Sequence, residues 1–282
     1  MRLGRRRARE GMILLNVLVI VAIAAAAVAV MIAAQDIEVQ RTIRLRDASQ
    51  AQAYSRAGEL SAVVALRRDG VAAPTLDAYS EPWAAIAQRP ISIPNGRFAL
   101  SIVDEQARYN LNRLKGGDAV EASRFTRIAR ALGVSQPGVV AVAAVIAAVG
   151  PLSDEGLLRT AGVDPADLDR LRPFVTFLPE DAGLNLNTIS PELLGFLLDD
   201  ADAVRRLLDL RNSKGALTEP DLAALGLQNL GGLTSSHFAV VTDVRVGDVE
   251  QRVQSRLTRV LAPEQVVVSV SSRRRIDAAT GV

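Results

Sequence analysis

The sequence predicts an α+β protein: a long N-terminal helix, then strands capable of forming an antiparallel sheet, with a block of short helices inserted between them. Three observations carry this. Hydrophobic residues make up 49% of the 282 residues but aromatics only 4%, and the surplus of alanine, leucine and valine favours helix over an all-β architecture. Residues 12–34 form one uncharged apolar run, and strand-like alternation occurs near residue 98 and again after residue 235.

The apolar run, MILLNVLVIVAIAAAAVAVMIAA, contains a single polar side chain, Asn16. As a helix its 23 residues would extend roughly 34 Å, enough to cross a hydrocarbon core of about 30 Å. Arg2, Arg5, Arg6, Arg7 and Arg9 precede it and Gln35, Asp36 and Glu38 follow, so the positive-inside rule puts the N-terminus in the cytoplasm and the remainder outside. A removable secretory signal would have a shorter apolar region, and small-x-small spacing occurs only deep in the run, at residues 25–29. A plain signal anchor fits the hydropathy equally well but leaves the abrupt start after Gly11 unaccounted for. The formal charge of +2 hides a contribution of +4 from residues 1–11, so the rest of the chain carries −2 and gives no electrostatic footprint for nucleic acid.

Helical periodicity continues to about residue 69, with Tyr54, Ala57, Leu60 and Val64 forming one apolar stripe. Gly70 and Pro74 end it, and residues 77–94, with Pro82, Pro90 and Pro94 around Trp83, read as an extended surface loop. Asn95-Gly96 is a tight turn opening a half-buried strand in which Phe98, Leu100 and Ile102 alternate with polar residues. Short apolar-periodic helices are predicted at 119–132, 137–149, 154–161, 165–171, 191–198, 201–210 and 220–225. Asp164-Pro165, Ser190-Pro191 and Thr218-Glu219-Pro220 act as start signals for three of them. Two strands then flank the hairpin signal Gly247-Asp248, VVVSVSS supplies a third, and Arg273 begins a charged, frayed tail.

Two segments repeat a motif: Asn110-Leu111-Asn112 and Asn185-Leu186-Asn187. In an extended segment the two asparagines point to one side, where they tie down backbone, while the leucine enters the core. The chain has no cysteine, which excludes disulfides, thiolate metal sites and a cysteine nucleophile. The sole histidine, His237, stands at a strand entrance, and no G-x-S-x-G, H-E-x-x-H or phosphate loop accompanies it, so no catalytic residue is assigned and no enzyme is expected.

A basic leader ending in Gly11, an immediate apolar helix and an amphipathic extension resemble a type IV pilin-like precursor. The first NLN after VDEQARY, the NLNTISPELL segment and the late hairpin resemble, more narrowly, the K subfamily of type II secretion minor pseudopilins, the GspK-like proteins, over nearly the whole chain. The resemblance implies a leader (1–11) removed by prepilin peptidase between Gly11 and Met12, with methylation of the new terminus, and a transmembrane helix (12–34). A periplasmic half of that helix (35–70) leads into a pilin-like body in two parts (71–116 and 235–272). These enclose a helical, SAM or helix-hairpin-helix-like insertion (117–234), and a disordered tail (273–282) follows. Most of the superfamily carry glutamate at the fifth mature position, where it pairs with a neighbour's terminal amine. Here that position is Asn16, and the missing carboxylate implies a subunit with none above it.

The implied partners are the other minor pseudopilins, of the I and J subfamilies and then H, with the major pseudopilin, prepilin peptidase and the inner membrane. The function implied is to nucleate a pseudopilus from its tip and support export across the outer membrane. GspK-like proteins often hold calcium in an acidic loop, but residues 147–153 here are short and lack a D-x-D cluster, so no cofactor or metal is expected. The alternative is a membrane-anchored DNA-binding protein of a competence-like system, because residues 157–175 have the shape of a helix-hairpin-helix with Gly162 at the turn and Asp164 as a cap. Its acids Asp164, Asp167 and Asp169 disfavour phosphate, so no nucleic-acid partner is expected.

Overall fold

The computed structural model describes residues 4–86, 88–262 and 265–276, with side chains from residue 15 onward except 88 and 89. Its first element, α1 (Gly4–Ala72), is a single helix of 69 residues, about 100 Å long at 1.5 Å per residue. Its apolar window has a mean hydropathy of 3.0 and none of it is buried. Among the described residues the helix meets the rest of the molecule from about Asp47 onward.

Next come α2 (Pro82–Ala85), the hairpin β1 (Gln88–Ile93) and β2 (Gly96–Asp104), and a two-residue strand β3 (Tyr109–Asn110). The helical block follows: α3 (Ala119–Ala131), α4 (Gln136–Val149), α5 (Gly156–Thr160), α6 (Pro165–Leu171), a short β4 (Val175–Thr176), α7 (Pro191–Leu197), α8 (Ala201–Lys214) and α9 (Glu219–Leu225). The chain returns with β5 (His237–Val246), β6 (Val249–Ala262) and β7 (Gln265–Arg275). Local chemistry starts the helices: the Asp164 carboxylate accepts from Ala166 N–H, the Ser190 hydroxyl from Leu193 N–H, and Asp221 from the Thr218 backbone and hydroxyl.

The main sheet is antiparallel throughout, in the order β1-β2-β5-β6-β7. β2 pairs directly with β5, from Gly96 opposite Val246 to Asp104 opposite Phe238, so residues 105–236 leave and re-enter the sheet at neighbouring points of one interior strand pair. Gly247 takes φ +55° in the β5–β6 turn, the left-handed backbone that this two-residue connection requires. Separate cores follow. Ala62, Leu66, Trp83, Leu100, Ile102, Phe238 and Val240 pack between α1 and the sheet. Phe125, Ile128, Ile146, Leu158, Leu186, Leu193 and others form the core of the helical block.

Three sequence expectations are corrected. Of Tyr54, Ala57, Leu60 and Val64 only Tyr54 packs beside Val244 and Val246, and Leu60 is 62% exposed, so the stripe of α1 facing the sheet is a different one. It is Ala51, Ser55, Gly58, Glu59, Ala62, Leu66 and Asp69, a face of small and polar residues. Small residues win because the helix lies so close: a Cβ on Gly58 would stand 2.9 Å from both Phe98 and Thr242 side chains. Residues 77–94 are not a surface loop: Trp83 is buried on α2, where Pro82 occupies the first turn, and Pro90 is tolerated in β1 because that is an edge strand. Arg273 to Arg275 do not belong to a frayed tail, because they are paired in β7 against β6. Arg273 Nε and Nη2 donate to Glu59 on α1 at 2.6 and 2.7 Å, and Arg274 donates to Gln254. Residues 1–3 of the leader and 277–282 of the tail lie outside the described residues.

Candidate functional site

The molecule offers an anchor and a junction. In the anchor, Gly11 and Met12 fall within the backbone of α1, with side chains outside the described residues. Asn16 is exposed, one turn into the apolar window. Among the described residues nothing covers residues 15–34: Leu18, Ile20, Ile23 and Val30 are each more than 60% exposed. Bare apolar surface on this scale requires lipid or other helices around it.

The junction fastens the helical block to the sheet at the end of α1 away from the apolar window. Asp47, near the start of the docked stretch, lies beside the Gly247 turn, whereas Asp69 and Gly70 lie beside β6 and β7 at Arg259, Leu261 and Val266. β2 and β5 run in between, and the block emerges at their Asp104 and Phe238 ends. There Asp77 accepts from Ser235 N–H at 2.7 Å and Asp77 N–H donates to the Leu233 carbonyl at 2.7 Å. The Asp104 carboxylate accepts from Asn185 at 3.0 Å and from the hydroxyls of Thr188 and Ser235 at 2.6 Å each. Burial pushes the Asp104 carboxyl up to about 6, against the opposing pull of those donors.

The asparagine motifs organise this region, though not as extended strands. In both, the first asparagine's side-chain oxygen accepts from the backbone N–H of the second, Asn110 from Asn112 and Asn185 from Asn187, which makes each an Asx turn. Asparagines and leucines are therefore all buried. Asn110 donates to the Pro179 and Ala182 carbonyls, and Asn112 donates to those of Leu152 and Leu178 while accepting from Leu152 N–H. Asn185 donates to Asp77, Asp104 and Ser235, and Asn187 brackets Leu217 by accepting from its N–H and donating to its carbonyl. The first pair thus ties the helical block to itself, and Asn185 ties it to the body.

Asp69, Asp77 and Glu81 bring carboxylate oxygens within 4.8 Å of one another, a set that could hold a cation. The cation present is a guanidinium: Arg259, 1% exposed, donates to Asp69 at 3.0 Å, to Asp77 at 2.5 Å and to the Ser235 carbonyl at 2.8 Å, and stacks 5.0 Å from the Phe238 ring. Burial, with repulsion from Glu81 and Asp77, raises Asp69 to about 7 despite Arg259. The loop implied for calcium does not fit a hard cation either. The Leu152 carbonyl accepts from Asn112 and the Ser153 carbonyl from Arg256, while Asp154 is spent on Gly156 N–H. Sequence reasoning missed Arg259, which sits among alternating residues of β6 with nothing local to mark it as buried.

His237 begins β5, and burial lowers its pKa, as for a packed imidazole. The hairpin of α5 and α6 has Gly162 at φ +85° and Asp164 capping α6, but Asp167 is turned inward to accept from the Ser135 hydroxyl and backbone, binding α6 to the start of α4.

No family model matches the chain. It is 28% identical to the type II secretion system protein K of Pseudomonas aeruginosa in an alignment of 302 residues covering 90% of each chain. Among solved structures, it superposes with a TM-score of 0.67 on a chain of the GspK-GspI-GspJ complex of the enterotoxigenic Escherichia coli type 2 secretion system. That match covers 84% of this chain and 100% of the other at 20% identity. The chain is therefore similar to type II secretion system protein K in sequence and shares the pilin-like fold of a chain of the GspK-GspI-GspJ complex.

Proposed function

We propose that the chain is a K-type minor pseudopilin, a non-enzymatic subunit at the tip of a type II secretion pseudopilus that nucleates its assembly with I-, J- and then H-type partners above the major subunit. The observation that carries this is the division of α1: the half that holds the sheet is covered by it, and the half before it is covered by nothing among the described residues. Such a helix suits storage in the inner membrane followed by transfer into a bundle of like helices, because both surroundings cover the same apolar surface. The helical block stands at the end of α1 opposite the anchor, where its bulk is tolerated only if no subunit stacks above it. In this reading the chain crosses the inner membrane once, with the body in the periplasm, and Asn16 replaces the carboxylate that would otherwise seek a partner's amine.

Mass spectrometry of the chain recovered from cells tests the processing step. A mature N-terminus at Met12, dependent on prepilin peptidase and blocked in a Gly11→Leu variant, is expected, and an intact leader in wild-type cells would sink the proposal. Co-purification with I- and J-type subunits checks the assembly step.

A further inference from the structure

A cleft of two connected lobes, about 860 and 410 Å³, runs between the helical block and the sheet. The lobes share Arg108, Arg172, Gln254, Arg274 and Ile276, and the larger one has apolar walls from Val103, Phe174, Ile189, Pro191 and Leu193. Neither the Asx turns nor the anchor uses it. Its chemistry is set by four arginines in the larger lobe: Arg108, Arg172, Arg211 and Arg274.

Only Arg172 is well matched by acids, with Asp169 at 2.8 Å and Glu155 at 3.0 Å. Arg211 donates to the carbonyls of Leu186 and Ile189 at 3.2 and 2.9 Å and meets no carboxylate among the described residues. Arg274 donates to the neutral Gln254 side chain at 2.8 and 2.6 Å. Arg108 reaches Glu105 only at 3.4 Å and shares it with Arg256, which stands closer at 3.0 Å, while Arg108 Nε is buried with no hydrogen-bond partner among the described residues. The remaining acid in the lobe, Asp104, is fully buried and faces Ser235, Thr188 and Asn185. The lobe therefore carries an excess of positive charge. Burial lowers the pKa of both Arg108 and Arg211, as expected for cations partly stripped of water without a full counter-charge. That cost is relieved when an anion enters.

We infer that this cleft binds an extended acidic peptide segment of a partner protein, with its carboxylates on Arg108, Arg211 and Arg274 and its intervening apolar side chains against Phe174, Ile189 and Leu193. Guanidinium groups recognise carboxylates through paired donors, and apolar wall between them suits a chain with acids at intervals. A nucleic-acid strand is a poor match, since its closely spaced phosphates would meet Asp154 and Glu155, which line the smaller lobe. The cleft stands on its own geometry, whatever the fate of the anchor.

The test uses the full chain in non-ionic detergent and fluorescence anisotropy with an end-blocked, fluorescein-labelled peptide of alternating glutamate and leucine. A glutamine-leucine peptide and empty micelles are the controls, and inorganic phosphate the competitor. The acidic peptide should bind at low salt, weaken as salt rises, and lose at least tenfold in affinity in Arg274→Glu, an exposed position whose change leaves the thermal transition in place. Arg205→Glu on the solvent face of α8 should bind as wild type. The inference is overturned by absence of binding, by equal binding of the glutamine peptide, by affinity in Arg274→Glu within twofold of wild type, or by displacement with millimolar phosphate, which would mark a small-anion site instead. Tyr79 lines the larger lobe and its ring lies 5.6 Å from Trp83, the only tryptophan, so intrinsic fluorescence gives a label-free second readout.

Discussion

Asn185 is the side chain on which the junction converges, with three donor contacts to Asp77, Asp104 and Ser235 and one accepted from Asn187. Asn185→Ala strands two buried acceptors and should cost about 2–4 kcal/mol of unfolding free energy, measured by chemical denaturation. Arg259→Met should cost about 3–5 kcal/mol, because it leaves Asp69 and Asp77 buried and uncompensated. Asp104 supplies a pH signature. Its folded pKa, about 6, lies above its ordinary value of 3.8, so the fold favours the protonated form. Its contribution to stability is fully present below about pH 4 and is lost as pH rises through 6, by an amount on the order of 2–3 kcal/mol. Denaturation midpoints of wild type relative to Asp104→Asn should fall between pH 4 and 7, and parallel curves would rule this out. The repeated NLN letters disclosed the importance of these asparagines. Their partners, Asp104 and Asp77, were not legible, because each lies scores of residues away and looks locally like a turn or surface acid.

At the scale of elements, α1 shows what periodicity can and cannot reveal. Its length and apolar half follow from composition alone, whereas its docking face does not. Leu60 and Val64 look like core residues, yet the sheet approaches the side built from Ala51, Gly58 and Ala62, where closeness replaces bulk. Glu59, charged yet on the docked face, is held by Arg273 and Ser255; burial raises its pKa, but those bonds outweigh it and keep it below the usual carboxylate range. Gly58→Leu should push α1 off Phe98 and Thr242 and destabilise the body by about 1–3 kcal/mol in thermal denaturation, while Leu60→Ala on the exposed side should leave the isolated chain within about 0.5 kcal/mol of wild type. In the inserted block α6, α7 and α9 were legible nearly to the residue because aspartate, serine and threonine caps followed by proline mark their starts, whereas α8 runs four residues past the expected 210. α2 and β1 were hidden by their prolines, which break patterns in sequence but fit a first helical turn and an edge strand.

In the whole molecule two cores meet through a narrow polar junction, one beneath α1 and one inside the helical block. Trp83 reports the first, and amide hydrogen exchange over α3 and α4 reports the second. Wild-type unfolding should give coincident transitions by the two probes, and Asn185→Ala should separate them, with the helical block opening first. The sequence placed strands on both sides of the helices; only the β2–β5 register shows that the flanks are immediate neighbours. That adjacency has a mechanical meaning. A pull along α1 enters the sheet through its docked face and is shared by strands held side by side in shear, with Asp104 and Phe238 already paired across the gap. The load path closes without passing through residues 105–236. The helical block is a passenger on that frame, tied to it at the junction but outside the path that carries the load.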